Sequence, residues 1–273
     1  MTKFAVQTIH LPGRDIGEQF EFAARCGYDA VEVAIRPDFD LIERVSAVES
    51  ASRNAGIPVC AICTTRVHDP LHPDPTEQAK RLTAISDLLA AADALGANGV
   101  VSVPVRPPLM FDDVPWSERW MRLRDRLIDA LGAWSAALPA GRAALFLEPL
   151  NRYEAYFLNR VGQAVEIAQA LQHPRVRVLA DLFHMNIEET SLNDPIRAAG
   201  SLLGHVHIAD NNRLQPGLGM LDFRPAFAAL NAIGYAGYVS IECWSPDGPS
   251  VVGAADEALP AAVRFMRAQL EDA

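Results

Sequence analysis

The 273-residue sequence lacks any run of about 18 consecutive apolar residues, the length that an ordinary membrane-spanning helix requires. Positive charge is also scarce, because 24 Lys and Arg stand against 34 Asp and Glu and the formal net charge is −10. A nucleic-acid-binding surface needs an excess of basic residues. We therefore expect neither a nucleic-acid nor a membrane partner. The amino-terminal stretch has no long apolar signal core and carries Asp15 early, so we expect a cytoplasmic protein.

Cysteine is rare, with four residues in the chain. Cys60 and Cys63 match the C-x-x-C pattern, which can mark a redox centre or half of a zinc site. No second pair of cysteines is present in the sequence to complete a zinc site. The pair lies in the strand-like run "IPVCAIC", so we interpret both residues as core residues with reduced thiols.

Helical and strand-like segments alternate along the whole chain. The apolar strand candidates lie near residues 4–8, 30–35, 57–63, 99–104, 144–149, 176–181, 203–208 and 237–242. This alternation predicts a parallel sheet, and eight such units in a chain of this length predict a closed (β/α)8 TIM barrel, a single domain over residues 1–273. A doubly wound open sheet is the alternative, but no G-x-G-x-x-G follows the first strand.

Two proline-rich segments follow the third and fourth predicted strands. They are "HDPLHPDP" at 68–75 and "PVRPPLMFDDVPW" at 104–116, and we interpret both as long loops on the active face of the barrel. Next to the second segment, Trp116, Trp120 and Trp134 lie in a helical pattern. They suit either the core or a partner subunit, and we favour the core.

Ionisable side chains stand at the ends of the last four predicted strands: Glu148, Asp181, His207 and Glu242. In a (β/α)8 barrel the carboxyl ends of the strands meet at one mouth, where the chemistry takes place. Three carboxylates gathered there would repel one another without a cation. Oxygen-rich ligation with one nitrogen suits Mn²⁺, Mg²⁺ or Co²⁺. The sequence therefore predicts a divalent metal site.

Two points stay open at this site. His205 and His207 lie two residues apart and share a strand face, and we favour His207 as the ligand because His205 sits deeper in the strand. Glu154, His184 and Arg213 lie near the proposed ion in the sequence. They form either part of the substrate site or an ordinary loop ion-pair network.

Four motifs in the second half of the chain carry a family resemblance: "ExxNRYE" from Glu148, "DxxHMNxEE" from Asp181, "HxHxxDxNRxxPGxGxxDF" from His205, and "SIEC", which contains Glu242. The sequence resembles the xylose isomerase-like sugar isomerase and epimerase superfamily, and within it the D-tagatose 3-epimerase branch of ketose 3-epimerases. The resemblance places the metal ligands at Glu148, Asp181, His207 and Glu242. It places the substrate contacts at Glu154, His184 and Arg213.

The resemblance also implies a reaction. The enzyme would epimerise a small-molecule sugar, with Glu148 and Glu242 removing a proton from one face and returning it to the other through a metal-stabilised enediolate. Mn²⁺ is the expected ion, with Mg²⁺ and Co²⁺ as alternatives. We also expect a homo-oligomer, either a dimer or a tetramer.

Other functions on the same barrel remain open. A hydroxypyruvate-type or other aldose–ketose isomerase would use the same groups, as would a dehydratase acting on inosose or dehydroshikimate. An apurinic endonuclease is disfavoured because its Asp-x-His ligands are replaced by Asn211, Asn212 and Arg213. A non-enzymatic sugar-binding or scaffold protein is disfavoured because no expected ligand or base is missing.

Overall fold

The computed structural model describes residues 1–105 and 110–273, in which eight parallel strands form a closed barrel. Strands adjacent in the chain are adjacent in the barrel, and β1 closes on β8 through pairs such as Phe4 with Val239. The strands are β1 Lys3–Gln7, β2 Ala30–Ala34, β3 Val59–Cys63, β4 Gly99–Ser102, β5 Ala144–Leu147, β6 Val176–Asp181, β7 Leu203–Ile208 and β8 Tyr238–Ile241. Each overlaps its predicted counterpart, and the TIM-barrel prediction is confirmed.

Helices follow the strands and cover the outside of the barrel. They are α1 Ile16–Cys26, α2 Leu41–Ala55, α3 Pro75–Leu95, α4 Arg119–Ala136, α5 Val161–Leu171, α6 Leu182–Glu188, α7 Asp194–Ala199, α8 Arg224–Ala232 and α9 Ala255–Glu271. Aspartates cap the first three, since Asp15, Asp40 and Asp74 each accept a backbone N–H of the first turn. Gly96 ends α3 in the left-handed region, at φ 68°. These caps set where the chain turns back into the next strand.

Two apolar cores hold the barrel together. The larger one lies between the strands and the helices. The smaller one fills the interior of the barrel and consists mainly of small residues around the ring of Phe146. A Cβ at Gly204 would lie 2.6 Å from Cδ1 of Phe146, so only glycine leaves room for this ring. His205 stacks on the same ring at a centroid distance of 5.7 Å.

The structure settles several smaller predictions. All four cysteines are free thiols; Cys60 is buried and Cys63 is half-buried. Trp120 and Trp134 pack against the outer core, as expected. The core interpretation is wrong for Trp116, which is 72% exposed because it lies in a short 3₁₀ turn before α4 and stacks on Arg119 instead.

The long loop predicted at 104–116 is described only in part, because residues 106–109 lie outside the described residues. None of the helices in the described ranges is long and apolar enough to cross a membrane.

Candidate active site

Four ionisable side chains meet at the carboxyl end of the barrel. Glu148 follows β5, Asp181 ends β6, His207 lies near the end of β7 and Glu242 follows β8. One nitrogen or oxygen from each lies within 4.8 Å of the others. The structure therefore brings together all four residues that the sequence singled out as metal ligands.

The backbone explains why Glu148 and Glu242 stand at these points. The Glu148 N–H donates to the Ser102 carbonyl at 3.0 Å, and the Glu242 N–H donates to the Ile208 carbonyl at 3.2 Å. Both glutamates thus extend the strand ladder by one residue, which fixes their backbones. Pro149 then ends the fifth strand because it has no N–H.

Asp181 has one oxygen in use and one without a partner. Its Oδ1 accepts the backbone N–H of Phe183 at 2.8 Å and that of His184 at 3.3 Å, which caps α6. Its Oδ2 is buried and accepts no hydrogen bond from the described residues. Burial raises the pKa of Asp181 to about 7, with Glu148 and Glu242 adding to the effect and Arg213 opposing it. A buried carboxylate oxygen in this state is the group that a cation would satisfy.

His207 lies between carboxylates on both sides of its ring. Its Nδ1 is 3.1 Å from Glu148 Oε1 and 3.5 Å from Glu242 Oε2, and its Nε2 is 2.9 Å from Glu32 Oε1. Burial alone would lower the pKa of His207, but the fields of Glu32, Glu242 and Glu148 outweigh burial and raise it well above the usual value. The site therefore attracts positive charge strongly.

The donor set fits a divalent metal ion. It offers carboxylate oxygens from Glu148, Asp181 and Glu242 and one imidazole nitrogen from His207. Hard dications prefer oxygen ligands of this kind and accept an imidazole beside them. The Oδ2 of Asp181 supports the fit independently of the motif, because it accepts no hydrogen bond from the described residues and His184 Nε2 lies 3.5 Å away.

The predicted substrate residues lie next to this cluster. Arg213 approaches Glu154 Oε1 at 3.3 Å through one nitrogen and Glu242 Oε2 at 3.5 Å through the other. Arg213 adopts a left-handed backbone conformation, with φ 66°, which is uncommon outside glycine. The structure thus places Arg213 and Glu154 in one network with a candidate base.

His184 lies between the backbone of Asn151 and the side chain of Arg213. Its Nδ1 accepts the backbone N–H of Asn151 at 3.1 Å. Its Nε2 lies 3.0 Å from Arg213 Nη1 and 3.5 Å from Asp181 Oδ2. Because a guanidinium can only donate hydrogen bonds, these contacts hold the imidazole ring beside Arg213 at the edge of the metal-ligand cluster. Asn151 was not predicted, although it lies inside the "NRYE" motif.

A second layer of polar groups lies beneath His207 in the barrel interior. Glu32 on β2 accepts from His205 Nε2 through Oε2 at 2.7 Å and faces His207 Nε2 through Oε1 at 2.9 Å. Gln7 on β1 donates its side-chain amide to Glu32 Oε1 at 2.9 Å and to Glu242 Oε1 at 3.3 Å. The structure therefore supports the reading of His205 as an interior residue. Sequence reasoning missed Glu32, although a carboxylate in the middle of "AVEVA" was the signal.

A sequence profile of the xylose isomerase-like TIM barrel family matches residues 20–269. The match extends over most of the barrel, from α1 to α9, and the chain belongs to this family.

Individual relatives narrow the class further. The chain is 32% identical over 232 residues to the 3-dehydro-D-guloside 4-epimerase of Escherichia coli K12, covering 84% of this chain and 87% of that protein. It is 28% identical over 246 residues to a D-psicose 3-epimerase of Enterocloster bolteae, covering 87% and 79%. The solved D-psicose 3-epimerase of Clostridium cellulolyticum H10, with D-tagatose, superposes with a TM-score of 0.84 at 25% identity, covering 98% and 99%. These relatives are epimerases, and the chain is an enzyme of the isomerase class.

Proposed function

We propose that the protein is a ketose 3-epimerase that depends on a divalent metal ion, with Mn²⁺ as the ion and a small sugar as the substrate. The observation that carries this proposal is the position of Glu148 and Glu242. Their oxygens approach the same nitrogen of His207 at 3.1 and 3.5 Å, yet they come from β5 and β8, with the ends of β6 and β7 between them. Two carboxylates that reach one site from separate strands suit proton removal from one face of a substrate and proton return to the other.

The proton balance requires one of these residues as a carboxylate and the other as a carboxylic acid. In the proposed reaction the carboxylate takes the proton from C3 of the ketose, the electron pair of the C–H bond forms the C2–C3 double bond, and the carbonyl π pair moves to the keto oxygen to give a planar enediolate. The carboxylic acid then delivers its proton to the opposite face of C3, which inverts this carbon and restores the ketone, and proton exchange with solvent returns both residues to their starting states. When bound, a divalent ion supplies Lewis-acid stabilisation of the negative charge on the substrate oxygens.

The remaining site residues would bind and orient the sugar. The guanidinium of Arg213, which lies 3.0 Å from His184 Nε2, would donate a hydrogen bond to a hydroxyl or keto oxygen of the sugar, with His184 beside it. Glu154 would accept a hydrogen bond from a sugar hydroxyl. The pKa of Glu242 stays well below its usual range, because His207 and Arg213 outweigh the opposing effect of burial. Glu242 is thus ionised and able to act as the base at neutral pH.

A second candidate is a 4-epimerase acting on a 3-keto-glycoside. It is favoured by the Escherichia coli relative, which is named for its action on a 3-dehydro-D-guloside and is 32% identical over 84% of this chain. The chemistry is closely related, since the inverted carbon is again adjacent to a keto group and the same two carboxylates would exchange its proton. The two candidates differ in the size of the substrate, because a glycoside carries an additional group that the pocket must accommodate.

Product analysis in D₂O tests both candidates. The protein with Mn²⁺ is incubated with D-fructose, D-tagatose, D-psicose, L-ribulose and a 3-keto-glycoside, and products are read by NMR. A 3-epimer carrying deuterium at C3 supports the first proposal, and inversion at C4 of the keto-glycoside supports the second. An aldose product would indicate an isomerase, and loss of water would indicate a dehydratase. Protein stripped with EDTA is expected to be inactive and to recover on addition of Mn²⁺.

We further propose that the protein forms a homo-oligomer. Trp116 supports this, because it is a large side chain left 72% exposed at the start of α4. Light scattering of the purified protein measures the assembly directly, and a monomeric mass would contradict the proposal.

A further inference from the structure

We propose that Glu32 is a positioning residue for the metal centre: it holds His207 in the tautomer that carries hydrogen on Nε2 and presents Nδ1 to the ion. The inference rests on the metal site within the proposed function and does not depend on which sugar is used. Glu32 lies outside the four-ligand cluster and, among the described residues, is linked to it by hydrogen bonds to His207 and to Gln7.

The two nitrogens of His207 face different surroundings. Nδ1 points into the cluster, 3.1 Å from Glu148 Oε1 and 3.5 Å from Glu242 Oε2. Nε2 points away from the cluster, toward Glu32 Oε1 at 2.9 Å. A carboxylate can only accept a hydrogen bond, so Glu32 keeps a hydrogen on Nε2, and a bound ion would displace the hydrogen on the cluster side and take the lone pair of Nδ1. A carboxylate bonded to the far nitrogen also makes the ligating nitrogen a stronger base.

Both carboxylate oxygens of Glu32 are engaged in hydrogen bonds. His205 binds its other oxygen at 2.7 Å, and Gln7 donates to the same Oε1 that faces His207. Both Glu32 and His205 are fully buried, and His205 is stacked on Phe146. The carboxylate therefore has little freedom to turn away, and it fixes the ring plane of His207 as well as its tautomer.

Glu32, His205 and His207 are close enough to suggest a second metal site. The hydrogen-bonding pattern argues against it. Oε1 of Glu32 already has the amide N–H of Gln7 and the ring nitrogen of His207 at 2.9 Å, and Oε2 has His205 at 2.7 Å. These are ordinary hydrogen-bond lengths between donors and a carboxylate. The cluster is a hydrogen-bonded support for the ion site.

The test is the Mn²⁺ dissociation constant of Glu32→Gln, measured by EPR of free Mn²⁺. Glutamine keeps the shape but can offer an amide N–H in place of an acceptor, so we expect Mn²⁺ to bind about 10- to 100-fold more weakly. Asp93→Asn is the matched control. Asp93 lies at the opposite end of the barrel, where it accepts the backbone N–H groups of Arg142 and Ala143 at 2.7 and 2.8 Å.

Asp93→Asn should lower the melting temperature without changing the Mn²⁺ constant. A Glu32→Gln protein that binds Mn²⁺ as tightly as the unsubstituted protein would overturn the proposal, as would an equal loss of affinity in both variants. Epimerase assays of the unsubstituted protein are run separately. If that protein has no epimerase activity but Glu32→Gln still weakens Mn²⁺ binding, the proposed function is wrong and the positioning role of Glu32 stands.

A measurement on the unsubstituted protein covers the case in which Glu32→Gln does not fold. Long-range ¹H–¹⁵N NMR of the protein loaded with diamagnetic Zn²⁺ reports which ring nitrogen of His207 carries hydrogen. We expect hydrogen on Nε2 and the metal-shifted signal on Nδ1. The opposite tautomer, or an Nε2 without hydrogen, would refute the proposal.

Discussion

The guanidinium of Arg213 lies over the ring of Phe183, with 4.3 Å between its central carbon and the ring centroid. Phe183 is the second residue of α6, two residues after the Asp181 cap, so the stacking ties Arg213 to the same turn that holds a proposed metal ligand. The contact restricts the guanidinium to one plane and turns its nitrogens toward Glu154 and Glu242.

Replacing Arg213 should therefore impair catalysis more than folding. We expect Arg213→Ala to lower kcat/KM by about 10- to 150-fold, the equivalent of losing one charge-assisted hydrogen bond of about 1.5–3 kcal/mol. Arg213→Lys should recover little, because lysine lacks the planar fork that stacks and binds at once. Arg224→Ala, which removes an exposed arginine paired with Asp222, is the control and should keep full activity. Unaltered kinetics in Arg213→Ala would remove this residue from the site.

Glu148→Gln and Glu242→Gln should each abolish epimerisation, and the variant that lacks the residue facing the C–H bond of the substrate should also abolish proton exchange at that carbon. Removing a general base lowers the rate by about 10²- to 10⁴-fold. The measurement is deuterium uptake from D₂O into recovered substrate, with bound Mn²⁺ determined on the same samples because both residues are also proposed ligands. Normal exchange in both variants would rule out the two-carboxylate scheme. An intact far-UV circular dichroism spectrum in each variant would show that the barrel itself is unaffected.

Mn²⁺ should stabilise the protein more at about pH 8 than at about pH 5.5. In the metal-free fold the pKa of Asp181 is raised to about 7 and that of His207 is raised well above its usual value. Both groups are then protonated at lower pH, and binding a dication must displace those protons. Because the pKa of each group is higher in the folded state than in the unfolded state, the folded protein binds more protons between these two values. The metal-free protein therefore loses stability as the pH rises from the lower value through the higher one.

Differential scanning fluorimetry with and without Mn²⁺ checks this prediction. Below the folded pKa, where one proton is displaced by the ion, Mn²⁺ affinity should increase about tenfold for each unit by which the pH is raised. Equal increases in melting temperature at both pH values would contradict it. Asp181→Asn serves as the control, because it should lose most of the Mn²⁺ effect at either pH.

Gly204→Ala should destabilise the barrel by about 1–3 kcal/mol, the usual effect of overpacking a core. The added methyl group would lie against Cε1 and Cδ1 of Phe146, whose ring is fully buried. Gly162→Ala is the control: its Cβ would meet nothing within 4 Å, and alanine favours the helix. Denaturant unfolding measures both, and adding Phe146→Leu to Gly204→Ala should restore part of the loss. A neutral Gly204→Ala would mean that the ring moves freely.

The sequence predicts well which side chains meet at the mouth of the barrel, because strand ends leave a clear pattern. Glu148 and Glu242 each stand one residue beyond an apolar run, and a (β/α)8 barrel brings such ends together. Glu32 was missed because it lies within a strand, where its neighbours are buried apolar residues and its partners come from β1 and β7. Such pairings depend on the closed barrel and leave no local periodicity.

Trp116 was predicted to lie in the core but is exposed. A tryptophan in an apolar helical pattern is reasonably assigned to the core, but the helix starts at Arg119, and Trp116 belongs to the preceding turn. An error of a few residues at a helix end thus decides whether a side chain packs inside or faces solvent. Trp120 and Trp134, which lie within the helix, do pack against the core.

Phe146 and the small residues around it form a closed floor beneath the proposed catalytic carboxylates, since this interior cluster is at most 3% exposed. Sugar, water and the ion must then all pass through the carboxyl-terminal opening. A substrate seated there would stand between Glu148 or Glu242 and bulk solvent. A proton taken from it would therefore be shielded from D₂O, and a fraction of the enediolate should collapse back to the starting epimer with its original hydrogen, while the epimerised product takes its proton from the other residue.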